Sequence, residues 1–504
     1  MRRPFTRLLF KTLKIAGVAT GSIVLLLFLL PYLFPGFVST RIRHWAKGSV
    51  NSELSFSSAR LSFFRHFPAL TLTLYDFKLK GSAPFEKETL LEADEVALGV
   101  DLTSIFSELK IDKIFLTKAF INIQVDTSGQ ANYNVYVSKN KHTTQPSDSS
   151  GASLKIKKII IENSKMVYND RSLPILINMR DIDYTGSGDL SEAIFDLHTH
   201  MEVASMDLYY HRQSYFVDKK INADLITKIN TNSLGLFFQK NELTINQLPV
   251  DFVGRFEFLK DGYDMDFKVK SENSQLRDIL TAMPPTTLEW VSKMDVKGRG
   301  DIYAELKGKY ISSSAVMPDL ILNMMVRDGY VSNPQAPAPI QNLLLGFRSR
   351  LPGLNPDSLS AIVDTVFFNI GKDYLSGSLQ LKGLSQPWIK AHVFSEMDLA
   401  GWNRLAGIKT VDLRGRYAIQ ADAEGQYSTK VVSHAGLRKI TYDTVVTSIP
   451  RFTIHSALSN GYFKYASLPE AVKDISFRLD ASCPDNDYRN TRVDLRNINA
   501  ALLG

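Results

Sequence analysis

The sequence is short of almost everything that marks an enzyme or a disulfide-built secreted domain. Among 504 residues there is a single cysteine, Cys483, so no intrachain disulfide can form and stability has to come from a buried core. G-x-S-x-G, P-loop, G-x-G-x-x-G and H-E-x-x-H patterns are all missing, which removes the usual sequence signs of nucleophilic, nucleotide-dependent and zinc hydrolase chemistry. Gly298 and Gly300 lie between strand patterns and read as turn chemistry. Acidic residues are absent from the first 52 positions, and long helical periodicities are scarce throughout.

The missing acids explain the net charge of +7. Arg2, Arg3, Arg7, Lys11, Lys14, Arg41, Arg43 and Lys47 precede Glu53, the first acidic residue, and the remainder holds 51 basic against 52 acidic groups. The large domain is therefore close to neutral, without the concentrated basic excess that phosphate neutralisation needs, and no nucleic-acid partner is expected. With 44% hydrophobic and 22% charged residues, the bulk is composed like a folded protein.

What the amino terminus does have is one uncharged apolar run, Ile15 to Leu33. As a helix it extends about 28 Å, close to the thickness of a hydrocarbon core. A cleavable signal peptide has a shorter apolar stretch and a small-x-small site; here the run continues into Pro31-Tyr32-Leu33-Phe34-Pro35-Gly36-Phe37. The expectation is a single transmembrane helix over 15–33 behind a basic tail of residues 1–14 on the cytoplasmic side, exporting the rest of the chain. Tyr32, Phe34 and Phe37 are candidates for the far membrane interface, and Arg41, Arg43, His44 and Lys47 for contact with anionic headgroups on a short helix.

From residue 53 onward the dominant signal is alternation with period two. Leu70, Leu72 and Leu74 alternate with threonines, and Val96, Leu98, Val100 and Leu102 repeat the pattern, as do Ile121, Ile123 and Val125. Tyr263, Met265, Phe267 and Val269 alternate with Asp264, Asp266, Lys268 and Lys270, giving one apolar and one charged face. Phe252, Phe256 and Phe258 precede Asp261-Gly262, so residues 250–270 read as an antiparallel hairpin. Between Leu74 and Phe77 the apolar set changes parity, which calls for a β-bulge near Tyr75-Asp76. Short helices are expected at 38–50, 274–282, 286–293 and 339–348, the last from Leu343, Leu344 and Phe347. Ser138–Ser153 is a polar low-complexity stretch that reads as a disordered loop. It divides a β domain over 38–137 from a continuing β domain over 154–504. Lys113-Ile114-Phe115-Leu116 and Lys158-Ile159-Ile160-Ile161 are similar at an offset of 45 residues, which suggests duplicated strand pairs. Asp196, His198 and His200 share one face of a strand; an H-x-H pair can hold a metal, but further ligands are missing and the residues read as a polar solvent face.

Phe67-Pro68-Ala69-Leu70, Asp76-Phe77-Lys78-Leu79-Lys80-Gly81, Leu91-Glu92-Ala93-Asp94-Glu95-Val96, Val100-Asp101-Leu102-Thr103-Ser104, Ile111-Asp112-Lys113-Ile114 and Gly129-Gln130-Ala131-Asn132-Tyr133 follow one another in order. Behind an amino-terminal anchor this combination resembles the AsmA family, in the form found in Bacteroidetes. Leu306–Tyr310 and Leu379–Gly383 look like the family's strand ends, and the resemblance continues loosely to about residue 480. It implies an inner-membrane-anchored periplasmic protein related to chorein and TamB bridge-type lipid-transfer proteins. An elongated, rolled antiparallel sheet with few short helices would form a trough lined with apolar side chains and filled by phospholipid tails. The chain stops at Gly504, just after strand-like Val493–Ile498, as a short or truncated member would.

Carrying one 16-carbon tail through water costs roughly 12 kcal/mol, at about 0.8 kcal/mol per methylene, and an apolar trough removes most of that. Two sheets packed face to face would show the same alternation, so periodicity leaves a filled sandwich and an open groove equally available; the resemblance selects the groove. The candidates for lipid contact are Leu70, Leu72, Leu74, Val96, Leu98, Val100, Phe252, Phe256, Met265, Phe267 and Val269. The expected function is non-enzymatic and without a cofactor or metal: binding or conducting phospholipid between inner and outer membrane in support of outer-membrane biogenesis, with an envelope protein as distal partner. The competing reading is a membrane-tethered scaffold that regulates protein targeting or insertion at the outer membrane and carries no lipid.

Overall fold

The computed structural model describes residues 14, 17–18, 21–22, 51–62, 70–100, 110–135, 153–190, 192–231, 233, 235–285, 291–332, 338–405, 410–435, 440–467 and 469–502. The expected helices over 15–33 and 38–50 and the interface candidates Tyr32, Phe34, Phe37, Arg41, Arg43 and Lys47 lie wholly or mostly outside these residues, as does the polar stretch up to residue 152. Among the described residues no helix is long and apolar enough to cross a membrane. The chain divides into two compact units, residues 1–243 and 244–504.

Unit 1 is built from β1 (Leu54–Ser55), β2 (Ser58–Ser62), β3 (Leu70–Lys80), β4 (Thr89–Val100), β5 (Lys110–Val125), β6 (Ser153–Asp170), β7 (Ile175–Ser187), β8 (Ile194–Tyr210), β9 (Gln213–Asn230) and β10 (Gly235–Ile245). The short β1 and β2 both pair with one side of β3, and from β3 to β10 each strand pairs with the next in the chain. Within the expected, mostly antiparallel arrangement β5 and β6 are parallel. Their register sets Lys113 beside Lys158, Ile114 beside Ile159 and Leu116 beside Ile161, which is the offset of 45 seen in the sequence. The similar segments are neighbours, because like side chains must face the same way for a parallel pair to keep one apolar face. The Ser164 hydroxyl bridges them by accepting from the Ala119 N–H at 2.9 Å.

The parity change at Tyr75-Asp76 is present. Asp76 has φ +49°, and Leu72, Leu74, Phe77 and Leu79 all reach one core cluster. The partner changes parity at the same level, from Leu91 and Ala93 to Val96 and Leu98, so the β3–β4 register continues unbroken from Leu70–Val100 to Leu79–Leu91. Both strands step together, where a bulge confined to β3 was expected. Comparable left-handed residues recur at Lys118, Asn163, Asp181 and Asp218. At Asn163 and Asp218 the displaced N–H is satisfied by a carboxylate of the adjacent strand, Asp183 at 2.9 Å and Asp207 at 2.8 Å. Such steps bend and twist a sheet without leaving a buried donor unpaired.

Unit 2 contains β11 (Leu248–Phe258), β12 (Gly262–Gln275), helix α1 (Leu276–Ala282), β13 (Asp295–Ile311), β14 (Asp319–Ser332), β15 (Ile340–Leu351), β16 (Ser360–Ile370), β17 (Asp373–Lys382), β18 (Trp388–Asp398), helix α2 (Leu399–Leu405), β19 (Val411–Gln426), β20 (Ser428–Ala435), β21 (Ile440–Ser448), β22 (Arg451–Tyr465), β23 (Val472–Cys483) and β24 (Arg492–Leu502). It is an antiparallel meander from β11 to β19, continued by β22, β23 and β24, while β20 and β21 form a separate two-stranded sheet.

The expected hairpin over 250–270 is β11–β12, with Phe252 opposite Val269 and Phe256 opposite Met265. Helix α1 falls within the expected 274–282. The expected helix at 339–348 is instead strand β15. Its misleading spacing has a cause: Asn342 takes φ +53° and the β15–β16 register shifts between Gln341 and Leu344. A bulge inserted into period-two alternation brings apolar residues to 340, 343, 344 and 347, the spacing of one helix face.

Candidate functional site

Antiparallel register fixes which side chains share a face, and in unit 2 it assembles a single apolar surface. Tyr263, Met265, Phe267 and Val269 of β12 stand opposite Phe258, Phe256, Gly254 and Phe252 of β11 and Tyr310, Gly308, Leu306 and Ala304 of β13. The same face continues through Leu320, Leu322, Met324 and Val326 to Leu351, Phe347 and Leu345, then through Val363, Val366, Leu379, Leu381, Ala391 and Val393. It goes on through Ala421 and Ala423 to Ile454 and Phe452. Gly254 has a steric purpose here: a Cβ would lie 2.5 Å from Phe267 Cδ1. The vacated space lets the Phe267 ring stack on Phe252 at 5.7 Å and on Phe256 at 6.0 Å, with Phe256 against Tyr263 at 5.1 Å.

The opposite face is charged and paired. Lys307 meets Asp266 at 3.2 Å, Arg255 meets Asp264 at 3.3 Å, and Arg348 holds Asp364 with two nitrogens. Arg327 grips Asp301 in the same way, and these hydrogen bonds hold the Asp301 and Asp364 carboxyls below the usual carboxylate range. Exposed pairs of this kind add little stability. Their consequence is sidedness: this face stays in water, so the apolar face is the inner one.

Whether the inner face is covered is decided by comparing residues on it. At one end α1 packs down on it, and Gly300 makes room, since a Cβ there would meet Ile279 Cδ1 at 2.8 Å. Beneath the helix, Val326 is 1% exposed and joins Leu276, Leu280, Val291, Val296 and Val331 in a closed cluster. Away from it on the same strand, Leu320 and Leu322 are only half-buried. Phe252, Phe256, Met265, Phe267 and Val269 are half-buried too, as are the inner-face residues of β16 and β18 except Ile370 and Ser395. A filled sandwich would bury them as deeply as Val326.

The candidates in unit 1 are placed differently. Leu74 and Val96 lie in a closed core with Phe56, Phe77, Ala93, Leu116 and Ala119, and Leu72 and Leu98 pack against it. Leu70 is buried as well, and Val100 stands opposite it in the ladder. Asn132, fully buried, ties this region together: its carbonyl accepts from Gln124 N–H at 3.0 Å and its amide donates to Asn122 O at 2.7 Å. The G-x-A-N stretch is thus a structural clasp.

Asp196, His198 and His200 are exposed on the same face of β8. His200 Nδ1 lies 2.7 Å from Asp224 Oδ1, and the hydrogen bond and charge of Asp224 raise the imidazole above its ordinary range. Sequence reasoning missed that this pair recurs across strands, at His392–Asp422 (2.7 Å) and His455–Asp480 (2.6 Å). No local pattern could have shown it, since the partners are 24 to 30 residues apart. Among the described residues no group of three or more His, Cys, Asp or Glu is arranged to hold a metal ion.

These features define a class of protein: predominantly β, with charges on one face of the sheet and an apolar opposite face that is only partly covered. The sequence model of the AsmA family matches residues 10–331, more than half of the chain, and the chain belongs to that family. No curated protein and no solved structure gives a significant match.

Proposed function

We propose that this protein is a membrane-anchored envelope protein that accommodates phospholipid acyl chains along the inner face of unit 2. The observation that carries the reading is the half-open apolar surface running from Phe252 through Phe267 and Phe347 to Val393. Water against that surface is unfavourable by about 25 cal/mol per Å², and acyl chains suit it because they need width and apolarity without specific polar partners. Membership of the AsmA family agrees with an envelope or lipid-related role. In this reading residues 15–33 anchor the chain in the inner membrane, the β units lie in the periplasm, and lipid moves between inner and outer membrane without enzymatic chemistry.

The scaffold reading has one feature in its favour. Strand β24 pairs on one side with β23, and its Val493 and Leu495 are strongly exposed, which is material for strand addition by a partner protein. A photo-crosslinking amino acid placed at Phe267 or Phe347 in the full chain separates the two. Irradiation in cells should give phospholipid adducts at both positions and none at Met325, which faces the charged side. Protein adducts alone, with no lipid, would replace the conduit with the scaffold.

A further inference from the structure

Unit 2 contains one sequence pattern twice. D-V-K-G-R-G-D-I-Y-A-E-L-K-G-K-Y over 295–310, along β13, and D-L-R-G-R-Y-A-I-Q-A-D-A-E-G-Q-Y over 412–427, along β19, share Asp, Gly, Arg, Ile, Ala, Gly and Tyr at one constant offset. The geometry repeats with them. Gly298 and Gly415 take φ +119° and +122°, and Gly308 and Gly425 take +127° and +147°. A Cβ on Gly298 would lie 2.7 Å from Gly329 Cα, and one on Gly415 2.8 Å from Gly461 Cα. On the paired strands Asp328-Gly329-Tyr330 matches Asn460-Gly461-Tyr462, with φ +50° at both Asp328 and Asn460. Lys297 lies 5.2 Å over the Tyr330 ring and reaches Asp295; Arg414 lies 4.6 Å over the Tyr462 ring and reaches Asp412. The strand before each copy holds a buried serine that pins it to its neighbour: Ser271 Oγ donates to Pro249 O, and Ser395 Oγ to Tyr374 O. Matches at such special positions mark a duplicated β–α–β–β module, which period-two alternation alone would not produce.

The duplication includes the helices. α1 follows β12 and α2 follows β18, and the antiparallel registers from β12 to β19 bring them to the same end of the strands. Each sets its fourth residue against the inner face. Ile279 is fully buried beside Gly300, and the Trp402 ring lies 5.4 Å from that of Phe368. At the opposite end Tyr310 and Tyr427 hold equivalent places; Tyr310 is stacked on Tyr263 at 6.3 Å, and Tyr427 is 38% exposed. Between the ends each copy presents apolar inner-face side chains, Ile302, Ala304 and Leu306 in β13 and Ile419, Ala421 and Ala423 in β19. From Ile302 to Tyr310 the strand extends about 27 Å.

We propose that unit 2 binds acyl chains at two equivalent sites, one per copy, with the methyl end of each chain stopped by the helix and its ester end at the tyrosine. The inference rests on the acyl-chain reading of the inner face and adds to it the number and direction of the chains. Leu280, Val296 and Val331 help to seal the first helix end, and Trp402 against Phe368 covers the second. A phosphate headgroup held under that apolar cover would lose its water without gaining a partner. At the tyrosines the headgroup stays in water while the ring covers the first methylenes, the amphipathic role tyrosine plays at lipid–water boundaries.

The test places a photo-crosslinking amino acid in the full chain at Met324 or Phe368, near the helices, and at Tyr310 or Tyr427. Fragmentation mass spectrometry of the adducts formed in cells then maps which carbon of the acyl chain each position captures. Adducts at Met324 and Phe368 should cluster near the methyl end, and those at Tyr310 and Tyr427 near the ester. Trp402→Ala removes one stop, so capture at Phe368 should move toward the ester while capture at Met324 stays; Ile279→Ala should do the reverse. The map in the otherwise unaltered chain stands without either variant. An even or inverted distribution, or a shift at both positions with either variant, would overturn the two-site arrangement. Lipid adducts persisting at Phe267 and Phe347 would then leave the acyl-chain reading in place, whereas their absence would remove both.

Discussion

At the scale of single residues, the same residue type has opposite meanings in the two units. Leu74 is 3% exposed among close neighbours, so Leu74→Ala leaves a cavity and is expected to cost about 2–5 kcal/mol in urea denaturation. Phe267 is half-buried on an uncovered face, and Phe267→Asp should shift the urea midpoint less than Leu74→Ala does while lipid adducts at Phe347 disappear. A Phe267→Asp chain that fails to fold would identify that face as core. The histidines supply a pH signature. Asp224 raises the His200 imidazole above its ordinary range, so its contribution is full below the unfolded value near 6.5 and is lost as pH rises through the folded one. The wild type should therefore exceed His200→Gln in urea midpoint at about pH 5.5 and match it at about pH 8.5. The difference will be small because both side chains are more than half exposed and screened by water.

At the scale of elements, the parallel β5–β6 pair is the least ordinary feature of unit 1. Parallel neighbours need a crossover connection, here drawn from residues 126–152. The register sets Lys113 beside Lys158, on the face away from the core residues Ile114 and Leu116. Lys113→Cys with Lys158→Cys, in a Cys483→Ala background, should couple through a short bifunctional maleimide, whereas Lys113→Cys with Lys165→Cys should not. Equal coupling of both pairs would mean a slipped register. The left-handed steps belong to this scale too. Asn, Asp and Gly occupy nearly all of them in unit 2, at Asn273, Gly298, Asp328, Asn342, Gly415, Asn460, Asp474 and Asn497, because these residues tolerate φ near +50° or above at least cost.

At the scale of the whole molecule, the division of labour lies between a unit whose first strands close on a dry core and a unit whose sheet leaves its apolar face half-open. The ion pairs of β11–β16 in unit 2 lie on the outer face, where they preserve solubility and sidedness more than they stabilise. A protein built only for stability would cover an apolar surface this extensive. Coverage by short helices at one end, with Val326 sealed near α1 and Phe368 against Trp402 of α2 while Leu320 and Leu322 are left half-buried, is the arrangement that makes the acyl-chain reading testable by crosslinking.

Much of this was determined by the sequence alone. Period-two alternation specified strands and their apolar faces, Asp261-Gly262 marked the hairpin, the parity change located the step at Asp76, and the ordered motifs identified the family. Each is a local signal, set by backbone geometry that one strand carries by itself. The tertiary structure decided the rest. It made β15 a strand where a bulge imitates helical spacing, turned an offset of 45 into a parallel pairing, joined His200, His392 and His455 to distant aspartates, and released the β20–β21 hairpin from the sheet. It also separated Leu74, sealed in a core, from Phe267, open on one side. Alternation is identical in both cases, because it records which way a side chain points, and only what packs over that side chain determines whether it meets protein, lipid or water.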